Sequence, residues 1–162
     1  MLLKNYFQLL ADISQLYPSE GAITFSTPIK NLSGTTLTLT YNPYHYLDSI
    51  PIAFPNIFQN CIIGSSDDPG SFDDYCLKSQ ITGFSASFIT TVPLIKDGYE
   101  KFIILIFGKV TVDCIVKEVG LTKRLYTSSA STEECLMLRH VLDTPIELHA
   151  GDSLGIAISY ET

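Results

Sequence analysis

Val116-Lys117-Glu118-Val119-Gly120-Leu121, Cys135-Leu136-Met137-Leu138-Arg139-His140-Val141-Leu142-Asp143-Thr144-Pro145-Ile146, and Ala150-Gly151-Asp152-Ser153-Leu154 followed by Ile156, Ile158 and Tyr160 form the stretch that decides the fold. The last of these segments alternates apolar and polar residues, the period of a strand with one buried face. Gly151-Asp152 is a tight-turn dipeptide ahead of the final strand. Gly120 marks a bulge or turn where a Cβ would obstruct. Pro145 reads as the opening of a strand, where a missing N–H costs least. Glu118 and Arg139, of opposite charge in neighbouring strand regions, are expected to pair across strands. The stretch therefore establishes sheet and by itself no chemistry.

Upstream, the same period recurs. Ile23 and Phe25 alternate with Thr24 and Ser26, and Leu37, Leu39 and Tyr41 with Thr36, Thr38 and Thr40. These are two half-buried antiparallel strands around an Asn31-Leu32-Ser33-Gly34 turn. Cys61-Ile62-Ile63 is a short strand. Phe84, Ala86 and Phe88 alternate through a strand that Pro93 is expected to stop. Asp97-Gly98 reads as a hairpin turn. Phe102 to Phe107 is apolar on both faces and belongs at the centre of a sheet. From Val110 to Leu121 the apolar phase shifts, as one extra residue in a β-bulge would make it.

The first segment differs. Tyr6, Leu9, Leu10, Ile13 and Leu16 fall at helical spacing, and Pro18 ends the pattern. A short N-terminal helical arm over 1–18 is expected, packed on its own domain or on a neighbouring subunit. Between Asn42 and Asn60 three prolines and the tyrosines Tyr44 and Tyr46 suggest a surface loop with rigid aromatic contact area. The fold class is mainly β: an antiparallel β-sandwich, jelly-roll-like, with a short N-terminal helix, all in one domain over 1–162. Tyr6, Leu9, Leu10, Ile13, Tyr44 and Tyr46 are the candidate partner-contact residues.

Composition narrows the function classes. A chain of 162 residues with 46% hydrophobic and 17% charged residues is ordered and large enough for a real core. A net charge of −7, with basic residues scattered, argues against a sequence-independent grip on nucleic acid. The longest apolar run, Phe102 to Phe107, is far short of a membrane span, and no signal peptide is read at the start. The four cysteines, Cys61, Cys76, Cys114 and Cys135, have no C-x-x-C spacing, which leaves buried thiols as the expectation. Asp67, Asp68, Asp73 and Asp74 do not follow the spacing of a calcium loop, so a solvated turn-rich loop is expected there. His45 lacks the further ligands a metal site needs. His140 and His149 have no paired nucleophile, and no G-x-S-x-G elbow or phosphate loop occurs. No catalytic residue, metal or cofactor is expected, and the reading is non-enzymatic.

Three segments together resemble a group of small bacteriophage virion proteins. Gly64-Ser65-Ser66-Asp67-Asp68-Pro69-Gly70-Ser71-Phe72-Asp73-Asp74-Tyr75-Cys76-Leu77 is similar to their G-S/T-D-x-P-x-x-D-D-Y-x-L segment. Val116 to Leu121 is similar to I-x-E-[IV]-G-L. Leu138 to Tyr160 resembles their C-terminal pattern, including Leu142-Asp143-Thr144-Pro145-Ile146 and Ala150-Gly151-Asp152. The resemblance covers about 61–162 and rests on order and spacing. It implies a structural part of the particle (head decoration, collar, fibre base or tail-associated protein), made in the host cytoplasm, homo-oligomeric, and partnered by other virion proteins of the capsid, neck or tail. It implies no active site. The alternative from the residues alone is a carbohydrate- or receptor-binding module that uses the Tyr/Pro-rich loop over 41–58, weakened by the absence of Trp.

Overall fold

The computed structural model describes residues 5, 23–41, 58–96, 99–127 and 131–161. Within them the chain is mainly β, with eight strands: β1 (Ile23–Lys30), β2 (Thr36–Tyr41), β3 (Asn60–Gly64), β4 (Phe84–Lys96), β5 (Tyr99–Val110), β6 (Cys114–Tyr126), β7 (Thr132–Leu148) and β8 (Ser153–Glu161). They pair antiparallel into three sheets, ordered β1-β2, β3-β6-β7 and β4-β5-β8. One apolar cluster draws on all three. Ile29, Leu37 and Leu39 come from the first sheet, Cys61, Ile63, Val119, Leu121 and Met137 from the second, and Ile104, Ile106, Val110 and Leu154 from the third.

The alternation read from the sequence accounts for most of this. Leu37 and Leu39 are buried and Thr36 and Thr38 exposed, as a half-buried strand requires. The Phe102–Phe107 run lies in β5, the middle strand of its sheet, with Ile104 and Ile106 fully buried. Its other face is less covered than expected: Ile103 and Leu105 are only half-buried, and Phe107 is 50% exposed. Lys96 pairs with Tyr99, the register of a two-residue hairpin connection; Asp97 and Gly98 themselves lie outside the described residues. Gly151, at φ +99°, stands between His149 and Asp152, whose N–H donates to the His149 carbonyl, and closes the turn into β8.

Three expectations are corrected. Pro93 does not stop its strand: it pairs with Phe102 inside β4. Among the described residues β4 pairs with β5 alone, so it is an edge strand, where a missing N–H leaves no ladder bond broken. Pro145 does not open a strand but lies inside β7. There the register jumps from Glu118↔Val141 to Val116↔Ile146, and the proline sits exposed in the resulting bulge. The phase shift after Val110 has a different cause from the one expected. Residues 111–113 carry the chain from the sheet of β5 to that of β6, and the bulge comes later, between Val116 and Glu118.

Of the expected N-terminal arm, only Asn5 is described. It is helical and 5% exposed. Its carboxamide donates to the Lys30 carbonyl (2.9 Å) and the Leu136 carbonyl (3.1 Å), and accepts from the Lys30 N–H (3.1 Å). Asn5 thus ties β1 to β7 of its own chain.

Candidate functional site: a charged clasp beneath the 65–80 loop

The middle sheet is covered on both faces, and its strand registers decide which side chains go where. On the face away from the main cluster, Asn60, Ile62 and Gly64 of β3 stand opposite Thr122, Gly120 and Glu118 of β6. On β7 the register slips between Leu121 and Thr122, so Leu136 faces Thr122 while Arg139 faces Gly120. The extra residue lets Met137 and Leu138 both enter the main cluster and leaves Leu136 and Arg139, three apart, on the same outer face. A bare alternation would have put Arg139 on the other side.

Onto this face folds the loop of residues 65–80. Its far end runs beside β3: Ser65 N–H donates to the Ser79 carbonyl (2.8 Å), and Ile81 N–H to the Ile63 carbonyl (2.8 Å). Leu77 packs with Ile62 and Leu136 in a second, smaller apolar cluster. Gly120 makes that approach possible. A Cβ there would meet Leu136 Cδ1 at 2.6 Å, Ile62 Cγ1 at 2.9 Å and Leu77 Cδ2 at 3.0 Å.

Arg139 is the centre of the attachment, its side chain fully buried. Nε donates to Glu118 Oε2 (2.7 Å), Nη1 to Asp74 Oδ2 (2.9 Å) and the Pro69 carbonyl (3.2 Å), and Nη2 to the Asp68 carbonyl (3.0 Å). Glu118, also fully buried, accepts the Ser79 N–H on Oε1 at 2.9 Å. Asp74 accepts the Ser71 N–H (2.8 Å) and pairs through Oδ1 with Lys78 Nζ (2.9 Å). A planar guanidinium with a fixed fork of donors suits such a junction, where one cation must satisfy two carboxylates and two carbonyls. Burial alone would raise the Asp74 pKa. The Ser71 amide, the Lys78 ammonium and the Arg139 guanidinium outweigh it and hold the group below its ordinary 3.8.

The expected Glu118–Arg139 pair is therefore present, on a diagonal rather than directly opposite, since Glu118 faces Val141. The expectation for the acidic loop needs dividing. Asp67, Asp68 and Asp73 are exposed, but Asp74 is buried against Arg139. Nothing in Asp73-Asp74 marks which carboxylate turns inward; only the fold of the loop decides it. The three resembling segments meet here: Asp74 and Leu77 come from the first, Glu118 and Gly120 from the second, and Arg139 from the strand that carries the third. The arrangement holds backbone in place, with every charge turned to a partner.

The candidate partner-contact residues Tyr6, Leu9, Leu10, Ile13, Tyr44 and Tyr46, together with His45, lie outside the described residues. The four cysteines are free, Cys61 and Cys135 buried and Cys76 and Cys114 half-buried. Burial pushes the Cys61 and Cys135 thiols up to about 12, with Glu133 and Glu134 adding to the effect at Cys135. Such thiols stay protonated and behave as core hydrophobes.

One buried group had no forewarning in the sequence. Lys123 is 1% exposed, and its Nζ has no hydrogen-bond partner among the described residues. Desolvation lowers its pKa to about 8. A third feature lies at the rim. Between β7 and β8 runs a cleft lined by Val119, His140, Leu142, Ile156, Ala157, Ile158 and Ser159.

No family model, no curated protein and no solved structure matches the chain.

Proposed function

We propose that the protein is a structural subunit of a bacteriophage particle that works through contacts between copies and with other virion proteins of the capsid, neck or tail. The resemblance over about 61–162 motivates the reading. Support comes from where its segments lie, since Asp74, Glu118 and Arg139 act on the scaffold and use up their charges internally. A β-sandwich of jelly-roll-like kind fits the core that all three sheets share and the pairings β3–β6 and β5–β8, which join strands distant in sequence.

The observation that carries the subunit reading is a pair of strand edges around the cleft that are unpaired among the described residues. Among the described residues β8 pairs only with β5, and β7 beyond Arg139 pairs only with β6. An edge of unpaired N–H and C=O groups beside an apolar cleft is a template for another chain. Sedimentation velocity on the full chain, alone and mixed with purified particles lacking it, tests the proposal. Self-assembly or saturable binding to particles is expected. A monomer that binds no particle component at micromolar concentration would sink it.

A further inference from the structure

Among the described residues, Lys123 sits where its charge has nothing to meet. By register it faces Cys135 across the β6–β7 ladder, and its side chain shares a face with Leu121 and Leu125, both in the main cluster. An ammonium without an acceptor in such surroundings is strongly disfavoured, so protonation drives the amine to find a carboxylate or leave. The charged and titratable groups nearby are few among the described residues. β3 carries no charged side chain, and its Cys61, like Cys135, is a neutral thiol. The β1–β2 hairpin carries only Lys30, whose ammonium lies over the Tyr75 ring. The core-facing residues of β5 and β8 are apolar. On β6, Arg124 points to the opposite face, and on β7 so does Glu134, which accepts from Asn60 and Thr122. Glu133 is different. It faces Leu125, two residues from Cys135, and is therefore the diagonal neighbour of Lys123 on the same face. Long side chains reach across that diagonal.

Glu133 already has an engagement. Its Oε2 accepts the Asn31 carboxamide (3.0 Å), while Asn31 Oδ1 accepts the Ser33 and Thr35 N–H groups at 3.1 and 2.9 Å. Asn31 organises the turn between β1 and β2, and Glu133 fastens that turn to β7 beside the Leu32 N–H to Glu134 carbonyl bond (3.1 Å). We propose that Lys123 is a proton-operated latch: its protonation draws the Glu133 carboxylate away from Asn31 and so loosens the 31–35 turn from β7. In the structure Glu133 holds Asn31 and Lys123 Nζ has no partner among the described residues, which is the closed arrangement of the hairpin.

The test is an NMR titration of the full chain from pH 6 to 10, following Lys123 Cε and the Asn31 side-chain amide. Both are expected to move with one midpoint, at or above the value of about 8 that burial alone gives the amine. The Asn31 response should vanish in Lys123→Met. In Glu133→Gln, which keeps the lysine and covers the event that the methionine variant fails to fold, the Asn31 response should be lost and the Lys123 midpoint should fall. Three results overturn the latch: no titration of Lys123 in this range, titration of Lys123 with Asn31 unmoved, or an Asn31 response that survives in either variant.

Discussion

At the scale of single residues, the two buried cations of the middle sheet have opposite consequences. Arg139 is compensated, and removing it leaves Glu118 buried without its cation and Asp74 with Lys78 alone. Arg139→Met should destabilise the chain by about 3 to 5 kcal/mol, because Glu118 and Asp74 would lose their shared partner inside the protein. Adding Glu118→Gln to that variant should return part of the loss, and urea denaturation of both variants measures the two quantities. Lys123 has no partner among the described residues, and its effect runs with pH. Its folded pKa, about 8, lies below the ordinary 10.5, so between those values the unfolded chain binds the extra proton. The amine's own contribution therefore rises with pH across that window, opposed above pH 9 by the Cys61 and Cys135 thiols, whose folded value of about 12 lies above their ordinary 9.0, and the penalty is fully present below pH 8. A shift of this size corresponds to about 3 kcal/mol. Lys123→Met should be the more stable protein at pH 7, by a margin that shrinks as pH rises towards 10.5. Equal slopes in the two proteins would discount the role given to the amine.

At the scale of elements, the 65–80 loop behaves as a part of the sheet. Its attachment runs through side chains as much as backbone, with Arg139 holding residues 68, 69 and 74, and Glu118 holding 79. The acid limb of stability follows from Asp74. Its folded pKa is depressed, so its contribution is present above the ordinary 3.8 and is lost as pH falls through the lower folded value. Asp74→Asn should lower the melting temperature at pH 6 and flatten its decline below pH 3.8. Hydrogen exchange should show the change in the Leu77–Ser79 amides before it reaches β5. An acid limb identical to wild type would place the responsible carboxylate elsewhere. The elements themselves were legible because period-two alternation is a local consequence of one buried face, as in Leu37 and Leu39. The loop was not. Which of Asp73 and Asp74 turns inward is decided by the fold of the loop, and the face on which Arg139 awaits it by a β7 register slip that the run Cys135-Leu136-Met137-Leu138 conceals, every member being apolar. Pro93 and Pro145 misled for a related reason: proline forbids a ladder bond, and a strand edge or bulge has none to lose.

At the scale of the whole molecule, sheet content was readable, while sheet membership was not. The order β3-β6-β7 and β4-β5-β8 is set by which apolar faces close on each other far apart in sequence, and alternation is silent on that. The same limit hid the cleft: its lining falls within the quoted segments of β6, β7 and β8, but nothing in those segments says that the strands meet there. Its position bears on assembly. Ala157 and Ser159 are exposed on β8, and they line the cleft without joining the main cluster. Lysine on an edge strand blocks addition of a further strand at little cost to the fold. Ala157→Lys combined with Ser159→Lys should therefore leave urea stability within about 1 kcal/mol of wild type, as surface changes do. The same variant should lower the sedimentation coefficient of the assembled form to that of a monomer and abolish binding to particles. If assembly persists in a stable double variant, the contact between copies lies on another face, and the open edge of β8 has no part in it.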